Sequence, residues 1–174
     1  MKKNYEKILP SYIFDIQEIN NLSKVMFMNN FPHHQFILCT SGTGKICTES
    51  NIEQTVSKSN IVFINSSILF SIRQQENFSI KRIAFNGNFV TNYLQYFDFN
   101  QAVVFVPKSD EVFNAFNIAY DGYMHHKDDI QNSVNMYNLI GVCGESYVSS
   151  KPTLLTPEDF IAESGFDFIK QNIS

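Results

Sequence analysis

The apolar residues of this chain change their period near residue 108, and that change constrains the fold more than any other feature. Up to Pro107 the apolar positions come in short runs or alternate; from Ser109 they recur every three to four residues. Gln35–Thr40 and Lys45–Glu49 flank Ser41, Gly42, Thr43 and Gly44, which reads as a hairpin with glycines free to take positive φ. Ile61–Ile64 is a short apolar run and Leu69–Arg73 a further strand. Phe78–Phe85 alternates, with Phe78, Ile80, Arg82 and Ala84 on one side and Ser79, Lys81, Ile83 and Phe85 on the other. Ala102–Val106 is β-branched and apolar, and Pro107 closes it. Short strands at this spacing predict an antiparallel sandwich or barrel.

Helices interrupt and then replace the strands. Phe89, Val90, Tyr93, Leu94 and Phe97 form a first helical stripe. Ser109 is placed to cap a second helix, with Asp110 and Glu111 favourable to the dipole at its first turn. Val112, Phe113, Phe116, Ala119, Tyr120 and Tyr123 give that helix its apolar face. His125–Asp129 is a polar break, and Asp129 can cap a third helix carrying Ile130, Val134, Tyr137, Ile140 and Tyr147. Lys151–Pro157, with two prolines, reads as a linker. Beyond it, Phe160, Ile161, Phe168 and Ile169 suit one face of an amphipathic helix. A helix so short is stabilised mainly by packing, so it is expected to open a second module.

Composition sets the outer bounds. A chain of 174 residues can bury roughly 70% of its unfolded surface, enough for a real core. Apolar residues at 44% and charged residues at 17% are globular values. A net charge of −4 and a pI near 5.5 argue against a basic nucleic-acid footprint within these residues. The apolar runs are too short to span a bilayer, and Met1–Lys7 lacks the apolar stretch of a secretory signal, so a cytoplasmic protein without a membrane partner is expected. Three cysteines, Cys39, Cys47 and Cys143, are expected as reduced thiols, although Cys39 and Cys47 could bridge a hairpin.

The order of these pieces resembles the N-terminal half of AraC-family transcription regulators. Phe36–Ile46, with its Ser-Gly-Thr-Gly turn, is similar to that family's first hairpin. Asn60–Ile64, within Lys58–Arg73, is similar to the strand usually introduced by Gly-Asp. Ala84, Phe85, Asn86 and Gly87 close a segment from Ile80 that resembles the family's aromatic-His-Phe-Ser-Gly stretch. Phe166–Ser174 resembles the opening helix of the DNA-binding half. The resemblance runs from residue 33 to 174. It implies a mainly β fold with α: a cupin-like antiparallel β-barrel followed by a helical hairpin. The implied organisation is an effector-binding barrel with an N-terminal arm over 1–107, a dimerisation hairpin over 108–150, and over 151–174 a linker with the first helix of a truncated DNA-binding domain. Its implied partners are a small-molecule effector, a second copy of the chain, and DNA only through the missing half. Two departures matter. Asn65–Phe70 stands where the family often carries Pro-Pro-x-x-Pro-His, with Phe70 at the His position, and the His-x-His of metal-binding cupins is absent. No metal, cofactor or catalytic residue is therefore expected, and the reading is not an enzyme. A cupin-type metal-dependent enzyme and a ligand-free oligomerisation domain remain the alternatives.

The candidate ligand-binding residues are His33, His34, Phe36, Arg73, Arg82, Tyr5 and Tyr12. Neighbouring strand residues point to opposite faces, so His33 and His34 make a poor metal pair; one of them could face the interior. Arg73 and Arg82 lie in strands, where an inward charge needs a partner such as an anionic or polyhydroxylated ligand, and alternation does not choose their faces. Tyr5 and Tyr12 could close the pocket from the arm. Phe at 17 positions and no Trp favour an apolar or aromatic metabolite, whereas a sugar asks for an aromatic platform with convergent polar groups. Val134, Tyr137, Ile140 and Gly141 are the candidate dimerisation residues. His125, His126, Asp128 and Asp129 read as a solvated loop, and Ser41–Lys45 lacks the spacing and setting of a phosphate loop.

Overall fold

The computed structural model describes residues 9–22, 26–28, 32–49, 53–125 and 128–151, with backbone only for 26–28. Tyr5, His126 and the helix expected beyond Pro157 lie outside the described residues. Seven antiparallel strands form one sheet: β1 Tyr12–Ile19, β2 Met26–Met28, β3 His34–Thr48, β4 Glu53–Ser57, β5 Ile61–Ile64, β6 Phe70–Asn86 and β7 Val103–Phe105. Three helices follow or interrupt them: α1 Val90–Tyr96, α2 Asp110–Met124 and α3 Asp129–Ser150. The mainly β fold with α is as expected. The closed barrel is not: the path β1-β6-β3-β5-β7 leaves β1 and β7 unpaired with each other, so the sheet is open among the described residues.

The expected hairpin at Ser41–Gly44 is a bend inside one long strand. β3 runs through it, and β6 likewise joins the two segments expected as separate strands. The partners stay in register at both ends, His34 opposite Phe85 and Thr48 opposite Phe70, with irregularities gathered between Cys39 and Gly44. Bulges of this kind kink a strand without ending its ladder. Gly42 sits there at φ +69°, where a Cβ would collide with the Glu76 carbonyl. Opposite it Asn77 takes φ 40°, a conformation Asn tolerates better than most residues. Each long strand thus serves both ends of the sheet. Near one end β3 pairs with β5 and β6 with β1; near the other β3 pairs with β4 and β6 with β2.

Alternation along these strands makes two apolar faces. Phe36, Leu38, Ile61, Phe63, Ile83 and Phe85 point toward the helices and share a core with Leu94, Phe116, Leu139 and Ile140. Phe36 stacks on Phe85 at 5.1 Å, and Phe63 meets Phe99 at 4.6 Å. Ile37, Cys39, Val62, Ile64, Ile72, Phe78 and Ile80 build a second cluster on the opposite, inner face. Among the described residues no helix covers that face, so the bent sheet covers itself. Ser109 precedes α2 in extended conformation, but its side chain makes no capping bond. Asp128, not Asp129, caps α3, accepting from the Ile130 amide at 2.9 Å.

Candidate functional site

Arg82 belongs to the inner face. It lies opposite Ile37, between Ile80 and Ala84, and paired residues share a face. Its side chain is 3% exposed. Nη2 donates to Asp15 Oδ2 at 2.6 Å and Nη1 to Gln35 Oε1 at 3.3 Å. Burial pushes the guanidinium pKa down, and the neighbouring Asp15 carboxylate opposes that shift. Asp15 is itself 47% exposed, so the ion pair bridges the interior and solvent. A guanidinium fork can exchange one carboxylate for another in the same bidentate geometry. The geometry at Arg82 is thus suited to a carboxylate. Asp15 and Gln35 were not singled out in the sequence. For Asp15 the signal is an acid among apolar residues of β1, obscured by the irregularity between Ile13 and Asp15.

The other expected residues do not converge on Arg82. His34 is buried on the helix-facing side near Phe63 and Phe85, and its Nδ1 accepts from the Ser66 amide at 3.2 Å. Burial, and to a lesser extent the neighbouring His33, lowers its pKa from 6.5 to about 4, so the imidazole is neutral. Phe36 is core on that same side, not pocket lining. His33 stacks on Phe14 at 3.9 Å and meets Tyr12 edge-on at 6.5 Å, forming an aromatic group at the Asp15 end of β1. Arg73 is exposed and pairs with Glu53 at 2.6 Å, beside Lys45, which also donates to Glu53. The Lys45 hydrogen bond is the largest cause of the lowered Glu53 pKa. Among the described residues, no three His, Cys, Asp or Glu side chains are grouped to hold a metal. All three cysteines are free thiols, and burial pushes Cys39 up to about 11.

The expected dimerisation residues split. Val134 and Tyr137 are exposed on α3, but Ile140 is fully buried in the helix-facing core. Gly141 is buried as well, and a Cβ there would lie 2.5 Å from the Tyr93 hydroxyl. Ile140 therefore presents no side chain at the surface, whereas Gly141 lines the groove between α1 and α3. The α3 pattern is apolar on more than one side, and packing on the sheet takes the Met136, Leu139, Ile140 and Cys143 face. A groove of about 560 Å³ remains between α1 and α3, walled by Pro10, Phe89, Tyr93, Val134, Tyr137 and Glu145 among others.

No protein-family model matches the chain. The chain is 32% identical over 83 residues to UvrABC system protein B of Halalkalibacterium halodurans, a match covering 48% of this chain and 12% of that protein. In fold it is similar to ToxT of Vibrio cholerae bound to (E)-4-(8-methylnaphthalen-1-yl)but-3-enoic acid, with TM-score 0.55 and 11% identity over 94% of this chain and 66% of ToxT. The unsaturated-fatty-acid complex of ToxT gives TM-score 0.51 and 11% identity over 99% of this chain and 66% of ToxT. The AraC-like transcriptional activator CuxR gives TM-score 0.51 and 9% identity, covering 82% of this chain and 57% of CuxR. The chain thus shares the fold of these transcription regulators and spans about two thirds of ToxT. Among the described residues no helix is long and apolar enough to cross a membrane.

Proposed function

We propose that this chain is the effector-sensing module of a cytoplasmic AraC-like transcription regulator, responding to an apolar or aromatic carboxylic acid rather than catalysing a reaction. One observation carries the ligand class: Arg82, buried on a mainly apolar inner face, is paired with a carboxylate that solvent can reach. The ToxT complexes support it, since both of their ligands are apolar acids. An entering carboxylate would take the place of Asp15 on Arg82, and release of Asp15 would loosen β1 from β6. The effector must favour one arrangement over the other to switch anything. The helices over 108–150 would pair two copies with C2 symmetry through the exposed Ile130 at the start of α3. Operator contact is assigned to a helix-turn-helix half outside residues 1–174, a reading supported by the partial coverage of ToxT and CuxR.

Thermal shift against an unsaturated fatty acid and a naphthyl-butenoic acid, each beside its methyl ester, tests the ligand class. At about 100 times its dissociation constant a ligand adds roughly 2.7 kcal/mol, which raises the midpoint of a domain this size by roughly 5–11 °C. The free acids are expected to shift the wild type, and neither the esters nor Arg82→Met protein should respond. Equal shifts with acid and ester, or a full response in Arg82→Met, would defeat the proposal.

A further inference from the structure

The groove between α1 and α3 lies on the helical side of the molecule, away from Arg82, and its chemistry is of the opposite sign. Its volume of about 560 Å³ falls within the roughly 300–1,000 Å³ of small-molecule pockets. Tyr93 of α1 and Tyr137 of α3 stack directly on each other at 4.4 Å with their planes 15° apart, and the stacked pair lines one side of the groove. Phe89 adds a third aromatic wall and is 60% exposed. Among the described residues that line the groove, Glu145 alone is charged, and no lysine, arginine or histidine joins it. Burial raises the Tyr93 pKa, and Tyr137 and Glu145 raise it further, so its ring is a neutral phenol beside a carboxylate. Elsewhere the chain covers tyrosine rings with its own cations: Lys81 stands 4.9 Å from the Tyr120 ring and Lys151 4.6 Å from the Tyr147 ring. At Tyr93 and Tyr137 the lining residues supply no such cation.

We propose that this groove binds an organic monocation, a primary or quaternary ammonium on an aryl or short alkyl body, with the ammonium against Glu145 and the outward face of the Tyr93–Tyr137 stack. Aromatic faces attract ammonium groups through the ring quadrupole, and more strongly when water is excluded. A single carboxylate among aromatic walls gives such a ligand both a charge partner and an apolar bed. The partner's charge is fixed by complementarity, because an anion here would meet Glu145 with no compensating base.

Isothermal titration of the full chain with phenethylammonium, benzyltrimethylammonium and the uncharged 2-phenylethanol reads this out. Both cations are expected to bind, with 2-phenylethanol at least tenfold weaker. Glu145→Gln, at an exposed position where circular dichroism should be unchanged, is expected to weaken the cations at least tenfold, and Tyr137→Ala comparably. Absence of binding at millimolar cation, equal affinity for the neutral alcohol, or unchanged affinity in Glu145→Gln would overturn the proposal. So would a dimeric wild type that accepts the cations only after Ile130→Glu makes it monomeric, since a second copy would then be the occupant.

Discussion

The two faces of the sheet are built from the same strands, residue by alternate residue, yet they are suited to different tasks. The helix-facing side is filled by Phe36, Phe63, Phe85 and Phe99 and roofed by three helices, and its buried histidine, His34, is held neutral. The inner side is mostly branched aliphatic, carries no helix among the described residues, and ends in the Arg82–Asp15 pair. Aromatic packing against helices fixes a structure, whereas a buried ion pair adds little net stability and can change partners. The lesson is a division by strand parity: one set of positions packs against helices, and the other carries the buried ion pair on which the proposed ligand response rests.

The most forceful way to break this comparison is Ile140→Glu. A carboxylate placed among Phe and Leu side chains with no partner costs well above about 4 kcal/mol. Urea denaturation followed by circular dichroism is expected to find no stable fold; a stable, merely monomeric variant would show that α3 does not pack as described. A gentler probe uses pH. Between pH 6.5 and about 4 the unfolded chain protonates His34 and the folded chain does not. Stability therefore rises with pH across that window and is lost as pH falls. At about 1.4 kcal/mol per pH unit the loss approaches about 3 kcal/mol. Urea midpoints at pH 7, 5.5 and 4 should fall more steeply for the wild type than for His34→Asn, and parallel profiles would remove His34 as the cause. The smallest effect is expected on the inner face. Arg82→Met leaves Asp15 in reach of water and replaces a costly buried charge, so stability should change by no more than about 1–2 kcal/mol. A larger loss would make the inner face as structural as the outer one.

The sequence was informative where a signal is local and silent where it depends on pairing. The switch from strands to helices, and the positions of α1, α2 and α3, follow from apolar period alone. The bend at Gly42 looks like a turn because glycines mark both features; only the contact with β6, 36 residues on from Ser41 at Asn77, distinguishes a bulge from a hairpin. β1 was not singled out as a strand, since the irregularity between Ile13 and Asp15 breaks its alternation. Arg82 was placed in a strand, but its face is settled by Ile37 across the ladder. Ile140 and Val134 carry similar apolar side chains on one helix, and which of them meets the sheet is decided by the surface α3 lands on. The α1–α3 groove joins residues from Pro10 to Glu145 and has no local sequence signature.

The pairing of β1 with β6 also sets a clock. Tyr12 waits for Asn86, and Ile19 for Ile80, before either can join a ladder. With synthesis at about 5–20 residues per second, β1 stays without its partner for several seconds after it leaves the ribosome. Throughout that interval its backbone hydrogen-bonding groups form an open strand edge, the feature most prone to stray pairing. Asp15, midway along β1, places a charge in that edge during the wait. The carboxylate that later holds Arg82 is thus also a charge on the unpaired segment, one of the features that blunt a strand edge.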